Sequence, residues 1–178
     1  MQGLVNFASQ AGLIFAVLLH PACYLGALGL FLYAGWGFWR QAQPDNPYRG
    51  RPWVPSVSLL TCGVLASFDR FLTKANVSAG STVVVRMSDA VSYTPTAATA
   101  TVLGANPGET IVNTVDLFAL FFQSFGAMAC LVAVFAWEAS INGRSNRSRS
   151  SCGVQFVFGI ALINVQTLAR WIVATLTA

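Results

Sequence analysis

The chain has 178 residues, of which 55% are hydrophobic and only 9% are charged, and its formal net charge is +4. Soluble domains carry about 25% charged residues, so this composition excludes an ordinary water-soluble globule. One histidine and six acidic residues leave few groups from which to build an active site, and this scarcity argues against most enzyme classes. The composition therefore predicts a membrane protein with several apolar segments.

Residues 11–39 form the first apolar segment and contain no Asp, Glu, Lys or Arg. The segment is longer than the roughly 20 residues that a span requires. We predict a break at His20–Pro21, because proline removes a backbone donor and disfavours helix at the residue before it. The expectation is a shallow N-terminal helix over residues 3–19 and a span over residues 21–39, with a single kinked helix as the alternative.

The second apolar segment, residues 53–73, is the shortest. It crosses only if Asp69 and Arg70 snorkel to the far interface, and a re-entrant segment is the alternative. Residues 74–113 differ in character, since they are rich in Ser, Thr, Ala, Val and Gly. They are predicted to form an external loop, either extended or holding a small β-hairpin at its Thr/Val-rich start.

Residues 114–137 and 154–176 are the third and fourth predicted spans. The predicted fold is therefore an all-α membrane protein with about four apolar helices, arranged as two hairpins, plus the shallow N-terminal helix and the external loop. Its units are residues 1–73 for the first hairpin, 74–113 for the loop and 114–178 for the second hairpin.

Two short basic loops predict the topology. One carries Arg40, Arg49 and Arg51, and the other carries Arg144, Arg147 and Arg149. The positive-inside rule places both loops in the cytoplasm and residues 74–113 outside. The tryptophans agree, because all but Trp171 lie at the predicted cytoplasmic ends. In this position the six arginines would contact lipid headgroups or line a lumen.

Several polar side chains lie within the apolar segments. Asp69, Arg70, Asp116 and Arg170 fall near the outer ends of their spans, where we favour ionic pairing or snorkelling over an ion path. Asn164 and Gln166, together with Gln123, can hydrogen-bond between helices. The following six residues are the predicted inter-helix polar contacts: Asp69, Arg70, Asp116, Asn164, Gln166 and Arg170.

No catalytic motif and no metal-ligand spacing is found in the sequence. Three of the four cysteines lie inside apolar segments, where a cysteine behaves as a small hydrophobe. His20, the only histidine in the sequence, is the only side chain that could offer an imidazole nitrogen to a metal ion. We therefore expect no enzyme activity and no metal.

Three short stretches resemble the IcmC/DotE group, the small membrane proteins of type IVB secretion systems, and their TraQ-like counterparts in IncI-type conjugation. These are residues 91–96 (VSYTPT), residues 153–164 (GVQFVFGIALIN) and residues 63–65 (GVL). The resemblance implies a structural role in a conjugative or effector-secreting apparatus, in the bacterial inner membrane and beside other membrane proteins of that system.

The predicted architecture also resembles a doubled hairpin of the F-type conjugative pilins. That resemblance implies a homo-oligomer that polymerises into an extracellular pilus with bound structural phospholipid, and single-stranded DNA would meet it only through the lumen. A fixed inner-membrane platform subunit is the main alternative. A small transporter and a holin-like pore belong to a different class and are less favoured.

Overall fold

A computed structural model describes residues 2–81, Val85 and residues 107–177, and every regular element in this part of the chain is an α-helix. This confirms the predicted all-α fold for the described residues. The seven helices are α1 (Gln2–Gln41), α2 (Val54–Ala66), α3 (Phe68–Ser78), α4 (Pro107–Leu117), α5 (Ala119–Ile141), α6 (Arg149–Ile163) and α7 (Val165–Thr177).

Helix α1 runs without interruption through Pro21, so the predicted shallow helix followed by a separate span is wrong. One buried stripe explains the continuity, because small and aliphatic residues recur every three or four positions on both sides of the proline. The stripe packs the helix against its neighbours along most of its length and offsets the lost hydrogen bond. Its members are Ala8, Ala16, Leu19, Cys23, Ala27, Leu30 and Ala34.

Among the described residues, two helices are long and apolar enough to cross a membrane, namely Val5–Gln41 within α1, and α5. The prediction of a membrane protein is thus supported, but four spans are not. Helix α2 has 13 residues and spans only about 20 Å. Helices α6 and α7 would count as a third span only if taken together, and they bend by 76° at Asn164.

The second apolar segment breaks at Ser67, between α2 and α3. The Ser67 hydroxyl donates to the carbonyl oxygen of Gly63 at 2.9 Å, a local bond that competes with the helical backbone pattern. Asn164 acts in the same way, since its side-chain amide donates to the Ile160 carbonyl oxygen at 2.9 Å. Both breaks therefore lie at residues whose side chains bond to their own helix.

Helix α1 packs against α2 and α5, and α5 packs against α6. Gly12 lies beside Phe121 and Gly26 beside Phe135, so α1 and α5 run parallel. The backbones of α5 and α6 come close together, since a Cβ atom added at Gly126 would lie 2.7 Å from the carbonyl oxygen of Gly159. The core between these helices consists of Leu19, Cys23, Ala27, Leu30, Leu65, Phe68, Leu72, Ala127, Cys130, Leu131, Ile160 and Ile163.

The predicted external loop is shorter than expected. Helix α3 continues to Ser78 and α4 begins at Pro107, so both ends of residues 74–113 are helical. The predicted β-hairpin falls mostly on residues 82–84 and 86–106, outside the described residues. Val85 exchanges hydrogen bonds of 3.2 Å with the Thr73 hydroxyl.

Candidate functional site at the basic end

The two basic loops meet at one end of the helices. This region, residues 40–53 and 138–149, is called the basic end. Arg51 Nη1 donates to the Asn142 carbonyl oxygen at 3.5 Å, and the guanidinium carbon of Arg144 lies 4.7 Å from the ring centre of Tyr33. Gly143 permits the tight turn because its φ of 71° is in the left-handed region. The loops are thus joined across more than ninety residues of sequence.

A buried carboxylate, that of Glu138, lies at the centre of the basic end and is 2% exposed. Its Oε1 accepts hydrogen bonds from the Ser58 hydroxyl at 2.8 Å, from the Asn142 amide, and from Arg144 Nη2 at 2.7 Å. A buried carboxylate is costly without such partners. Glu138 therefore ties α2, α5 and the following turn together.

Aromatic rings extend this network to the first loop. The Tyr48 hydroxyl donates to the Tyr33 hydroxyl at 3.3 Å, and the Trp36 ring meets Tyr48 edge-on at 6.5 Å. Partial burial and the hydrogen bond to Tyr33 raise the pKa of Tyr48 from 10.0 to about 12. Arg40 covers the other part of this cluster, with its guanidinium carbon 5.5 Å from the Trp36 ring centre. The aromatic cluster fixes the loop against the end of α1.

The six predicted loop arginines divide into two groups. Arg40, Arg51, Arg144 and Arg147 bond to other side chains or backbone, Arg147 through Gln155 at 3.2 Å. Arg49 and Arg149 are exposed and make no hydrogen bond or ion pair with the described residues. The first group holds the loops in place, and the second leaves positive charge available to a ligand.

The opposite end contains the predicted inter-helix polar residues. Arg170 Nη2 lies 3.5 Å from Asp116 Oδ2, which joins α7 to α4. This pair contributes little stability, because both side chains are substantially exposed. Asn164 donates to Asn76 Oδ1 at 3.1 Å, and both residues are buried. This contact joins the bend at α6–α7 to α3.

The remaining predicted polar residues are more dispersed. Asp69 lines a small cavity of about 120 Å³ beside α1, together with His20, Cys23 and Tyr24. Arg70 is exposed on α3, and Gln166 is half-buried on α7. Among the described residues no group of three or more His, Cys, Asp or Glu side chains comes together as a metal site.

The sequence analysis missed Glu138 and Ser58 as site residues. Glu138 directly follows the apolar run that ends at Trp137. Asn142 and Arg144 lie four and six residues beyond it. An acid in the last turn of an apolar helix, followed by amide and guanidinium donors, is a usable signal for a buried ionic network.

No protein-family model matches this sequence, and no curated protein and no solved structure matches it either.

Proposed function

We propose that this protein is a structural membrane subunit that assembles with copies of itself. The observation that supports this most is the exposed apolar surface of α1. In the most apolar stretch of this helix, 18 residues long, only 28% is buried by the rest of the chain. Large apolar side chains exposed on this helix are Phe7, Ile14, Val17, Leu18, Tyr24, Leu25, Leu28, Phe31, Leu32, Trp36, Phe38 and Trp39. Lipid or further subunits must cover such a surface.

The length of α1 supports the view that neighbouring subunits, and not lipid alone, cover part of this surface. The uncharged stretch from residue 11 to residue 39 is about 43 Å long as a helix, whereas a hydrocarbon core is about 30 Å thick. Burying the whole stretch in lipid would require a tilt of about 45°, beyond the range of 0–40° seen for membrane helices. Packing against neighbouring subunits covers the excess without such a tilt.

The more specific form of the proposal is a conjugative, type IVB-like secretion apparatus in which the chain polymerises as the pilus subunit. Its support is the resemblance of residues 63–65, 91–96 and 153–164 to the IcmC/DotE group. The basic end fits either surface that such a subunit presents, because exposed arginines suit both headgroups and a DNA-conducting lumen.

A fixed inner-membrane platform subunit is the second candidate within the same apparatus. It accounts for the same exposed helix through packing against other membrane proteins. A transporter has less support, because Asp116 and Arg170 pair with each other at an exposed position. A holin-like pore predicts lysis on overexpression.

The decisive experiment identifies the main protein of sheared surface filaments by mass spectrometry, in cells that carry the whole transfer system. We expect a chain of about 19.0 kDa to dominate. Its confinement to the inner-membrane fraction, while filaments form from another protein, would establish the platform role and overturn the pilus role.

The same cells test the contribution of the loop arginines. Arg49→Gln with Arg149→Gln should impair filament assembly or lipid retention, while the fold persists, because neither arginine makes a hydrogen bond or ion pair with the described residues. Arg144 stays unchanged in this variant because it pairs with Glu138, and Arg147 because it bonds to Gln155. Arg70→Gln is the matched control, since that arginine is exposed on α3, away from the basic end. Normal filaments, lipid content and transfer in the double variant would show that these charges have no role in assembly.

A further inference from the structure

An apolar groove lies between α2, α3, α5 and α6. Its volume is about 320 Å³, which is at the lower end of the range of about 300–1,000 Å³ for ligand pockets. Leu60 and Val64 form one wall, and Trp137 and Phe156 contribute to the other. The groove is open to its surroundings, because Leu60 is 62% exposed and Trp137 is 37% exposed.

One end of the groove lies close to the basic end. Trp137 is in the last two turns of α5, and Cys152 and Gly153 are in the first two turns of α6. Tryptophan is enriched at the boundary between hydrocarbon and headgroups. The groove therefore starts at the level of the headgroups and continues towards the hydrocarbon.

Arg149 begins α6, close to this entrance. Arg149, Gly153 and Phe156 are spaced at i, i+4 and i+7, so all three lie on one face of α6. Arg149 is exposed and makes no hydrogen bond or ion pair with the described residues. Side chains on a helix tilt towards its N-terminus, which carries the guanidinium towards the headgroup region.

We propose that the groove binds one acyl chain of an anionic phospholipid whose phosphate pairs with Arg149. The apolar walls take the chain, and the free guanidinium favours a net-negative headgroup over a zwitterionic one. This proposal rests on the membrane placement in the proposed function and is independent of any role in conjugation.

Photo-cross-linking of the purified full chain tests the proposal. The protein is reconstituted into phosphatidylcholine vesicles doped with phosphatidylglycerol that carries a diazirine on one acyl chain. Tryptic mapping should locate the cross-links preferentially to the peptides of α5 and α6 that line the groove. Labelling spread evenly over the exposed face of α1 and the groove would overturn the proposal.

Gly153→Leu fills the groove from the inside. A Cβ atom at Gly153 meets no other atom within 4 Å, so the substitution adds bulk without a clash in its own helix. We expect the groove to lose most of its labelling, both by the phosphatidylglycerol probe and by a phosphatidylcholine analogue that carries the same diazirine. Gly29→Leu is the matched control, because Gly29 on α1 is equally unobstructed and lies outside the groove. Unchanged groove labelling in Gly153→Leu, with a retained helical spectrum and melting curve, would refute groove binding.

Arg149→Gln separates the headgroup contact from the acyl-chain contact. Labelling by phosphatidylglycerol should fall about fivefold, while labelling by the phosphatidylcholine analogue stays unchanged. Arg49→Gln should alter neither. Equal labelling by both lipids in the unsubstituted chain would overturn the anionic preference. The filament experiment is unaffected by either result, so the two proposals fail separately.

Discussion

Glu138 shows how a single buried charge organises the basic end. The carboxylate accepts from residues of α2, of α5's C-terminal turn and of the loop beyond it, so one side chain coordinates three segments. This network stabilises the fold only while all of its members are present. Loss of a donor leaves the buried carboxylate without one of its partners, and loss of the carboxylate leaves the donors without their acceptor.

Replacing Glu138 by Ala should therefore lower the free energy of unfolding by about 3 kcal/mol, since a buried pair is broken and Ser58 and Asn142 lose their acceptor. Denaturant titration in detergent micelles, followed by circular dichroism, measures the change. Asp45→Ala in the first basic loop is the control, because that acid is exposed, and its effect should be below about 0.5 kcal/mol. Equal effects of the two substitutions would contradict the role of the buried carboxylate.

Deprotonation of Tyr48 lowers the stability of the basic end at high pH. Its pKa is raised to about 12 in the folded protein, above the ordinary value of 10.0, because burial and the bond to Tyr33 disfavour the phenolate. The stabilisation is fully present below pH 10 and is lost as the pH rises towards 12.

Phenolate absorbance is titrated against pH in the unsubstituted chain and in Tyr48→Phe. The difference between the two curves gives the pH midpoint of Tyr48. We expect this midpoint near 12, and a lower one in Tyr33→Phe, which lacks the accepting hydroxyl. A midpoint near 10 in the unsubstituted chain would show that the two hydroxyls do not interact.

At the residue scale, the sequence located the arginines but not their partners. Charge counts predict which loops are basic, because that rule depends only on composition. Which arginine is paired depends on the burial of Glu138, and burial is a property of the packed helices. Arg144 and Arg149 look alike in the sequence, yet Arg144 pairs with Glu138, whereas Arg149 makes no hydrogen bond or ion pair with the described residues.

Among the elements, α1 departs most from its prediction. The rule for proline describes an isolated helix, in which the lost donor and the ring clash cost about 3 kcal/mol. In this protein α5 packs against the helix on both sides of Pro21, at Gly12 and at Gly26, and that packing outweighs the local penalty. Intrinsic preferences alone could not reveal this, because they contain no tertiary contacts.

Pro21→Ala should consequently raise the free energy of unfolding, by about 1–3 kcal/mol, and leave the helix content unchanged. Pro21 is exposed, so the substitution opens no cavity in the core. Denaturant titration in micelles provides the measurement. Gly29→Ala on the same helix is the comparison, and its gain should not exceed about 1 kcal/mol. A loss of stability in Pro21→Ala would mean that the proline is required for the native shape of α1.

The helix breaks at Ser67 and Asn164 were not predicted for a related reason. Hydropathy assigns each of these residues to the interior of one predicted segment, residues 53–73 or residues 154–176, and marks no helix end there. Asn164, at the bend, contacts Asn76, which is 88 residues away in the chain. Long-range contacts of this kind are invisible to a pattern that is read locally.

For the whole molecule, the predicted all-α fold is confirmed for the described residues, and within them two helices, or three if the bent pair α6–α7 counts as one span, are long and apolar enough to cross a membrane. Hydropathy alone overcounts because it does not separate a crossing helix from an apolar helix that is too short or bent. The groove was also unforeseen, since its walls come from helices distant in sequence and its opening depends on the absence of a side chain at Gly153.

The contact between Gly126 and Gly159 has a mechanical consequence. A Cβ atom at either position would meet the other residue's carbonyl oxygen at less than 3 Å, so α5 and α6 touch backbone to backbone. Sliding one helix past the other by a turn, about 5.4 Å, would force a side chain into that space. Helices α5 and α6 therefore behave as one rigid unit.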